Sequence, residues 1–425
     1  MEKLRLDNLN AITTWEKLQM LRAQLKAYFK QREHLVDGLI LALLARAHIL
    51  ILGPPGTAKS DLAHTLCMRF EGAEYFFYWL NKFTTWKDIA CGPVIVKENS
   101  DQAGKSIHFL NTEGRLLKAI LIFLDEIDKV SIATANACLP LLNERKYSIN
   151  PGEVRESPVV SIVAACNKLP STGELLPLLD RFLLRYEVGY ISVSHEGDSD
   201  FIDMLEESAP LPDTQLTLEE LLWLQSEVSR IKIDRKLLCL ISSIRSTLKL
   251  EHRIEPSDRR FVKSKSLIKA TAFMNGHARA EIEDLSILEN VLWTGSEPRE
   301  REMVRRVVHE VTRDPSFLRV AELVSEAHQV FSEAADLLKQ GLSQIPLNDA
   351  HKRTRSKLLA DAGQREKRLE GIHSEAAKLV EDTAPEKQTP LQTMTNEINA
   401  FRKRLVALRR IEDPFLGVEG WNTGS

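Results

Sequence analysis

The sequence predicts an α/β fold, a parallel sheet flanked by helices, followed by a second half that is wholly helical. Three observations predict it. Short apolar runs alternate with helical patterns through the first 200 residues, two of these runs end in residues suited to phosphate and metal chemistry, and strand patterns cease after about residue 200. At 425 residues the chain exceeds one ordinary core, so two or three domains are expected. With 43% hydrophobic and 28% charged residues it is globular in composition, and a net charge of -3 provides no bulk attraction for a polyanion.

Taken in order, residues 15–46 read as helix, with Trp15, Leu18, Leu21, Leu25 and Phe29 at helical spacing. The run His48–Leu52 is a short apolar strand ending at a Gly-Pro-Pro-Gly turn, and "SDLAHTLCMRF" after Lys59 is again helical. Strands are expected in "AEYFFYWL", "AILIFLD" (119–125), "PVVSIVAACN" (158–167) and "FLLRYEVGYI". "NACLPLLNER" is helical in pattern, with Pro140 expected to bend or interrupt it. After residue 200, Thr217 followed by Glu220 forms a capping box that opens a helical region reaching about 295. From about 298 the chain is charged and helical. Val320, Leu323, Val324, Ala327, Val330, Phe331, Ala334, Leu337 and Leu338 trace one apolar stripe suited to a helical hairpin or coiled coil. "EDTAPEKQTP" (381–390) reads as a linker before a last helix carrying Phe401, Leu405 and Leu408. The domains expected are therefore 1–200, 201–297 and 298–425.

Five cysteines without a C-x-x-C pair fit free thiols in a reducing compartment. The longest apolar stretch, "GLILALLARAHILIL", is interrupted by Arg46 and His48, so no transmembrane segment is expected; no secretory signal is visible, and a cytoplasmic location is expected.

Residues 53–61 carry the main chemical signal: Gly53, Pro54, Pro55, Gly56, Thr57, Ala58, Lys59, Ser60 and Asp61. A phosphate loop needs successive backbone N–H groups facing one concavity and a helix N-terminus behind them. Gly53 and Gly56 permit such a turn, Lys59 is placed for the β- and γ-phosphates, and Ser60 for Mg²⁺. Ala58 stands where the common pattern has glycine, and is expected to adopt helical geometry there. "LIFLDEID" then ends a buried strand in Asp125, a second Mg²⁺ ligand, and Glu126, which can orient and deprotonate water. Asn167, at the end of "SIVAACN", is expected to position that water.

Read in order, these pieces resemble the AAA+ ATPases, and more closely their MoxR branch. "REHLVDGLILALLARAHILILGPPGTAKS" is similar to that branch's opening helix, strand and Walker A loop, and "LDEI" to its Walker B segment. "GPV" (92–94) with "FLNTEGRL" resembles its inserted hairpin. "LLDRF" (178–182) resembles the arginine-finger segment, which implicates Arg181, with Arg185 as the second choice. "PSDRRF" (256–261) resembles the start of the lid helix carrying the sensor-2 arginine, which implicates Arg259 ahead of Arg260. "LSILENVLW" (285–293) is similar to the RavA subgroup. The small β-domain that RavA-type proteins can carry has no counterpart in the strand patterns after residue 300.

The resemblance implies an AAA+ core, an all-α lid and a further C-terminal helical region. It also implies a Mg²⁺-dependent ATPase working as a homo-oligomeric ring, usually a hexamer, with Arg181 serving a neighbour's nucleotide. It further implies chaperone-like remodelling of a protein client with a von Willebrand factor A domain partner. Two other readings stay open, a DNA-translocating or DNA-opening motor and a nucleotide-gated scaffold. Nucleic acid is not the expected partner, because in the hairpin region Lys97, Lys105 and Arg115 cancel Glu98, Asp101 and Glu113.

Overall fold

The computed structural model describes residues 9–90, 94–98, 106–110, 115–148, 154–169, 173–193, 195–206, 209–295, 299–341 and 352–412. By compactness the chain divides into two units. One comprises Met1–Lys232, Ser257–Ala280 and Asn290–Pro298, the other Ile233–Pro256, Glu281–Glu289 and Arg299–Ser425. Residues 201–297 contribute to both units.

The first unit is built on five parallel strands: β1 (Ile49–Leu52), β2 (Tyr75–Trp79), β3 (Leu121–Asp125), β4 (Ser161–Cys166) and β5 (Leu184–Glu187). Their spatial order is β5-β1-β4-β3-β2. All four residues of β1 and all six of β4 are buried, as an apolar strand covered on both faces requires. In register, Ile49 lies beside both Leu184 and Val163, and Trp79 beside Asp125. After β1 the chain crosses to the far edge, and it returns on the other side of β1 with β5. Such a reversal of strand order marks the crevice where α/β sheets bind ligands, at the carboxyl ends of the strands.

Helices α1 (Leu9–Tyr28), α2 (Glu33–Leu44) and α3 (Lys59–Cys67) accompany the first strand. The single helix expected over 15–46 is two. The break falls at residues 29–32, where Gln31 takes a left-handed φ of 56° without glycine or proline to announce it. α2 approaches β5 closely, since a Cβ at Gly38 would lie 2.3 Å from the Tyr186 ring. Helix α4 (Ile132–Glu144) runs unbroken through Pro140, contrary to the expected interruption. Its buried Cys138, Leu141 and Leu142 hold the turn in place, and the Ser131 side chain accepts the Thr134 N–H at its start.

Antiparallel strands Val94–Glu98 and Ser106–Leu110 form the hairpin expected before β3; Gly92 and Pro93, quoted for it, lie outside the described residues. A second hairpin (Lys146–Ser148 with Val154–Glu156) and a short parallel pair (Phe70–Glu71 with Leu216–Thr217) gave no sequence signal. Helix α5 (Leu218–Arg230) opens with the expected Thr217/Glu220 capping box, both bonds being present.

The second unit is helical: α6 (Arg235–His252), α8 (Glu300–Arg313), α9 (Pro315–Asp336), α10 (Lys352–Glu381) and α11 (Pro385–Glu412), while α7 (Asp258–Met274) belongs to the first. The stripe on α9 is buried from Val320 to Ala334, with Phe331 half-buried. Residues 381–390 are not a linker. Asp382–Ala384 make a tight turn, and α11 begins at Pro385, a position that proline suits, and continues through Pro390. α10 and α11 run antiparallel, cross-linked by Arg402–Glu370 at 3.0 Å and by Arg409–Glu366. No strand occurs after residue 217 among the described residues. Of the five cysteines, Cys67, Cys138, Cys166 and Cys239 are free and buried. No helix among the described residues is long and apolar enough to cross a membrane.

One buried histidine ties the sheet to α4. His48 Nδ1 accepts the Ile162 N–H at 3.0 Å, so Nε2 carries the proton and donates to the Leu142 carbonyl at 3.0 Å. Burial, and secondarily the Arg145 cation, push its pKa down to about 3. An exposed histidine titrates near 6.5, so between these values the unfolded chain binds the extra proton and the folded one does not. The stability this residue provides is complete above about pH 6.5 and falls by on the order of 1 kcal/mol per pH unit below it. Urea unfolding of wild type and His48→Gln from pH 7 to pH 4.5 should show the gap between them narrowing as pH falls. A constant gap would mean that His48 is not buried neutral.

Candidate nucleotide site

The loop between β1 and α3 is shaped by close approach. The Gly53 N–H donates to the Cys166 carbonyl at 3.1 Å, and a Cβ on Gly53 would sit 2.2 Å from the Val188 carbonyl oxygen. Only glycine fits. Gly56 has φ +76° and Ala58 φ +59°, the latter at the N-cap of α3. The expectation of helical geometry for Ala58 is therefore incorrect. Its backbone is left-handed, at a cost of roughly 1–2 kcal/mol for a residue with a Cβ. The loop is pinned internally, as Thr57 Oγ1 donates to the Pro54 carbonyl at 2.9 Å.

Lys59 is folded back over the loop, only 8% exposed, its Nζ donating to the Gly53 and Pro54 carbonyls at 2.8 Å each. Burial lowers its pKa, Asp125 opposes the shift, and the Arg32 charge adds to it. Ser60 Oγ donates to Asp125 Oδ2 at 3.3 Å, and Asp125 Oδ1 accepts the Glu126 N–H at 2.9 Å. Glu126 is itself left-handed (φ 56°), with Oε1 2.5 Å from Lys129 Nζ, a contact that raises the lysine's pKa. Burial raises the neighbouring Asp128. The structure thus brings together Lys59, Ser60, Asp125 and Glu126 from the ends of two strands. Asn167 leaves β4 with its side chain exposed, next to the Cys166 carbonyl that binds the loop.

A cavity of about 670 Å³ opens from Gly56, Thr57, Ala58 and Asp61. Its far wall is apolar and aromatic, including Tyr28, Tyr190, Ile191, Phe201 and Met204. That size and lining suit a nucleoside beyond the phosphate loop. The helix His195–Leu205, which supplies Phe201 and Met204, is tied to the α1–α2 turn by Lys30–Asp203 at 2.8 Å and Gln31–Asp200 at 3.0 Å. None of these wall residues was legible as a site in the sequence. They are ordinary apolar residues from three separate segments.

The expected arginines lie elsewhere in this unit and meet one another. Arg181 donates to Asn143 Oδ1 at 2.9 Å and the Pro177 carbonyl at 2.8 Å, and pairs with Asp180 at 3.8 Å. Arg259 pairs with the same Asp180 at 3.5 Å and keeps 42% of its side chain exposed. One turn along α7, Lys263 has its pKa lowered by burial first and then by Arg145, Arg259 and Arg181. Arg260 is 0% exposed, its guanidinium satisfied by the Val291, Phe182 and Leu183 carbonyls. Arg185 is likewise buried against the Trp293, Thr294 and Leu179 carbonyls. Both alternates are buried and bonded to carbonyls of this unit, while Arg260 also lies 3.7 Å from Asp180, the carboxylate that Arg181 and Arg259 share.

A β5-β1-β4-β3-β2 parallel sheet, with a phosphate loop after β1 and an Asp-Glu pair after β3, defines a P-loop ATPase of the AAA+ class. The match to family models is consistent with this. Residues 16–208 match the MoxR domain of the MoxR-vWA-beta-propeller ternary systems, and residues 236–308 an AAA lid domain. An uncharacterised Methanocaldococcus jannaschii protein is 34% identical over 323 residues, covering 76% of this chain and 80% of that one. The chaperone MoxR1 of Mycobacterium tuberculosis is 25% identical over 179 residues, 41% of this chain and 45% of its own. A crystal structure from Cytophaga hutchinsonii, classed as an ATPase, shares the fold with a TM-score of 0.56 at 16% identity, covering 70% of this chain and 95% of that one. The chain belongs to the MoxR AAA+ ATPases.

The left-handed Ala58 provides a direct test of the loop. Ala58→Gly should keep or tighten nucleotide binding, whereas Ala58→Val, a β-branched residue at positive φ, should weaken it at least tenfold by calorimetry. Equal affinities for all three would place residue 58 outside the left-handed region.

Proposed function

We propose that this protein hydrolyses ATP between the subunits of a homo-oligomeric ring, in the hexameric form usual for the family. The cycle then remodels or activates a protein client together with a von Willebrand factor A domain partner. The observation that carries the enzymatic part is the meeting of Lys59, Ser60, Asp125 and Glu126 beside the 670 Å³ cavity. The partner is supported by the matched MoxR domain, which is the one found in MoxR-vWA-beta-propeller systems.

The donor set fits a hard divalent cation, because Ser60 and Asp125 already place two oxygens 3.3 Å apart in front of the loop. Mg²⁺ held there would neutralise phosphate charge. The chain's own groups do the rest. Lys59 exchanges the Gly53 and Pro54 carbonyls for the terminal phosphates. Glu126 exchanges Lys129 for the attacking water, which Asn167 helps to orient. Arg181 and Arg259 share Asp180, so they form one cationic patch, suited to an anion presented by the neighbouring subunit. An arginine supplied in trans contributes on the order of 10³–10⁵ in rate.

A DNA-directed motor is the second reading. It is favoured by the hairpin Val94–Glu98 with Ser106–Leu110, the element that related AAA+ proteins use on DNA. Salt-sensitive stimulation of hydrolysis by DNA would support it.

Arg181→Ala is expected to retain ATP affinity within about threefold while losing turnover by on the order of 10³. Glu126→Gln should bind ATP and fail to release it as ADP, and as bait should retain the von Willebrand factor A partner better than wild type. A Glu126→Gln protein with normal turnover would remove Glu126 from the mechanism.

A further inference from the structure

We propose that Arg32 is a positioning residue of the nucleotide site, holding the phosphate loop, the α1–α2 turn and the chain after β5 around the phosphates of a bound nucleotide. The inference rests on the nucleotide reading above and goes beyond it, since the resemblance assigns no role to Arg32, the first residue of the stretch it covers.

Arg32 is 8% exposed and lines the cavity. Its guanidinium donates to three carbonyls from three segments: Nε to Thr57 at 3.3 Å, one terminal nitrogen to Gln31 at 2.8 Å, and the other to Gly189 at 2.6 Å. Each of these segments contributes to the cavity wall, through Tyr28–Lys30, Gly56–Ala58 and Tyr190–Ile191. The Thr57 bond reaches further than the carbonyl. Thr57 C=O and Ala58 N–H share one rigid peptide plane, so fixing the first fixes the direction of the second. That plane leads directly into left-handed Ala58 and then Lys59.

The charge is as informative as the geometry. All three partners of Arg32 are neutral carbonyls, and no carboxylate among the described residues pairs with it. A guanidinium has five N–H donors, so two remain after these bonds. Burial opposes the cation and lowers the Arg32 pKa, and the charge of the adjacent Glu33 only partly offsets it. Lys59 stands close enough for the two charges to repel. Arg32 at the cavity wall and Lys59 beside the loop thus present two cations that an entering polyphosphate would balance.

The test is calorimetry on the full chain with Mg-ADP and with adenosine, using wild type, Arg32→Met and Arg32→Lys. Arg32→Met should weaken Mg-ADP at least tenfold while changing adenosine affinity less than threefold, and Arg32→Lys should recover part of the loss. Unchanged Mg-ADP binding would overturn the proposal, and so would equal losses for both ligands, which would make Arg32 a wall residue. If Arg32→Met does not fold, Arg32→Lys decides alone: a loss confined to Mg-ADP supports the proposal, and no loss overturns it. A Lys59→Ala control separates the two levels of inference. If Lys59→Ala loses Mg-ADP while Arg32→Met does not, this proposal fails and the nucleotide reading stands. If wild type itself binds no Mg-ADP, both fail together.

Discussion

The burial of β1 between β4 and β5 is the constraint on which the site depends. Four apolar residues, hydrogen-bonded on both sides, fix the end of that strand with no freedom to slide. Gly53 then meets the Cys166 carbonyl on one side and the Val188 carbonyl on the other. The phosphate loop, the amide at Asn167 and the wall at Tyr190–Ile191 are thereby assembled at one edge of the sheet. A slip of one residue in β1 would turn each of its side chains to the opposite face and carry the loop away from both neighbours.

Backbone strain is present at this edge. Gly56, Ala58 and Glu126 all have positive φ, and two of the three carry a Cβ that opposes it. Such conformations persist where surrounding contacts over-determine them. Here those contacts are visible: Thr57 bonded to Pro54, Arg32 bonded to Thr57, and Asp125 bonded to the Glu126 N–H. The strain places chemically active side chains at sharp turns where a helix or strand would have aimed them elsewhere.

Charge follows a similar logic at two places in the first unit. At the loop, Lys59 is attracted to Asp125 and repelled by Arg32. Around Asp180, Arg181 and Arg259 gather with Lys263 one helical turn along. Cations held together against a single carboxylate repel one another, and an entering anion relieves that repulsion. By contrast, the equally basic Arg185 and Arg260 are buried and bonded mainly to backbone carbonyls, although Arg260 also reaches Asp180. Residue type alone did not separate these roles; the partners did.

The sequence by itself determined the five core strands, the capped helix at Thr217 and the contiguous residues 53–61 with Asp125 and Glu126, because each is a local pattern of periodicity or turn chemistry. Its errors were of one kind. Gln31 breaks a helix with no breaker residue, Pro140 and Pro390 sit inside helices that packing sustains, and the Lys146–Glu156 hairpin is too short to show a period. Only the tertiary structure decided the left-handed Ala58, the cavity wall from Tyr28 to Met204 and the clamp at Arg32. The physical reason is distance along the chain: these features arise where segments far apart in sequence are forced into contact, and no local pattern records which distant carbonyl or ring a side chain will meet.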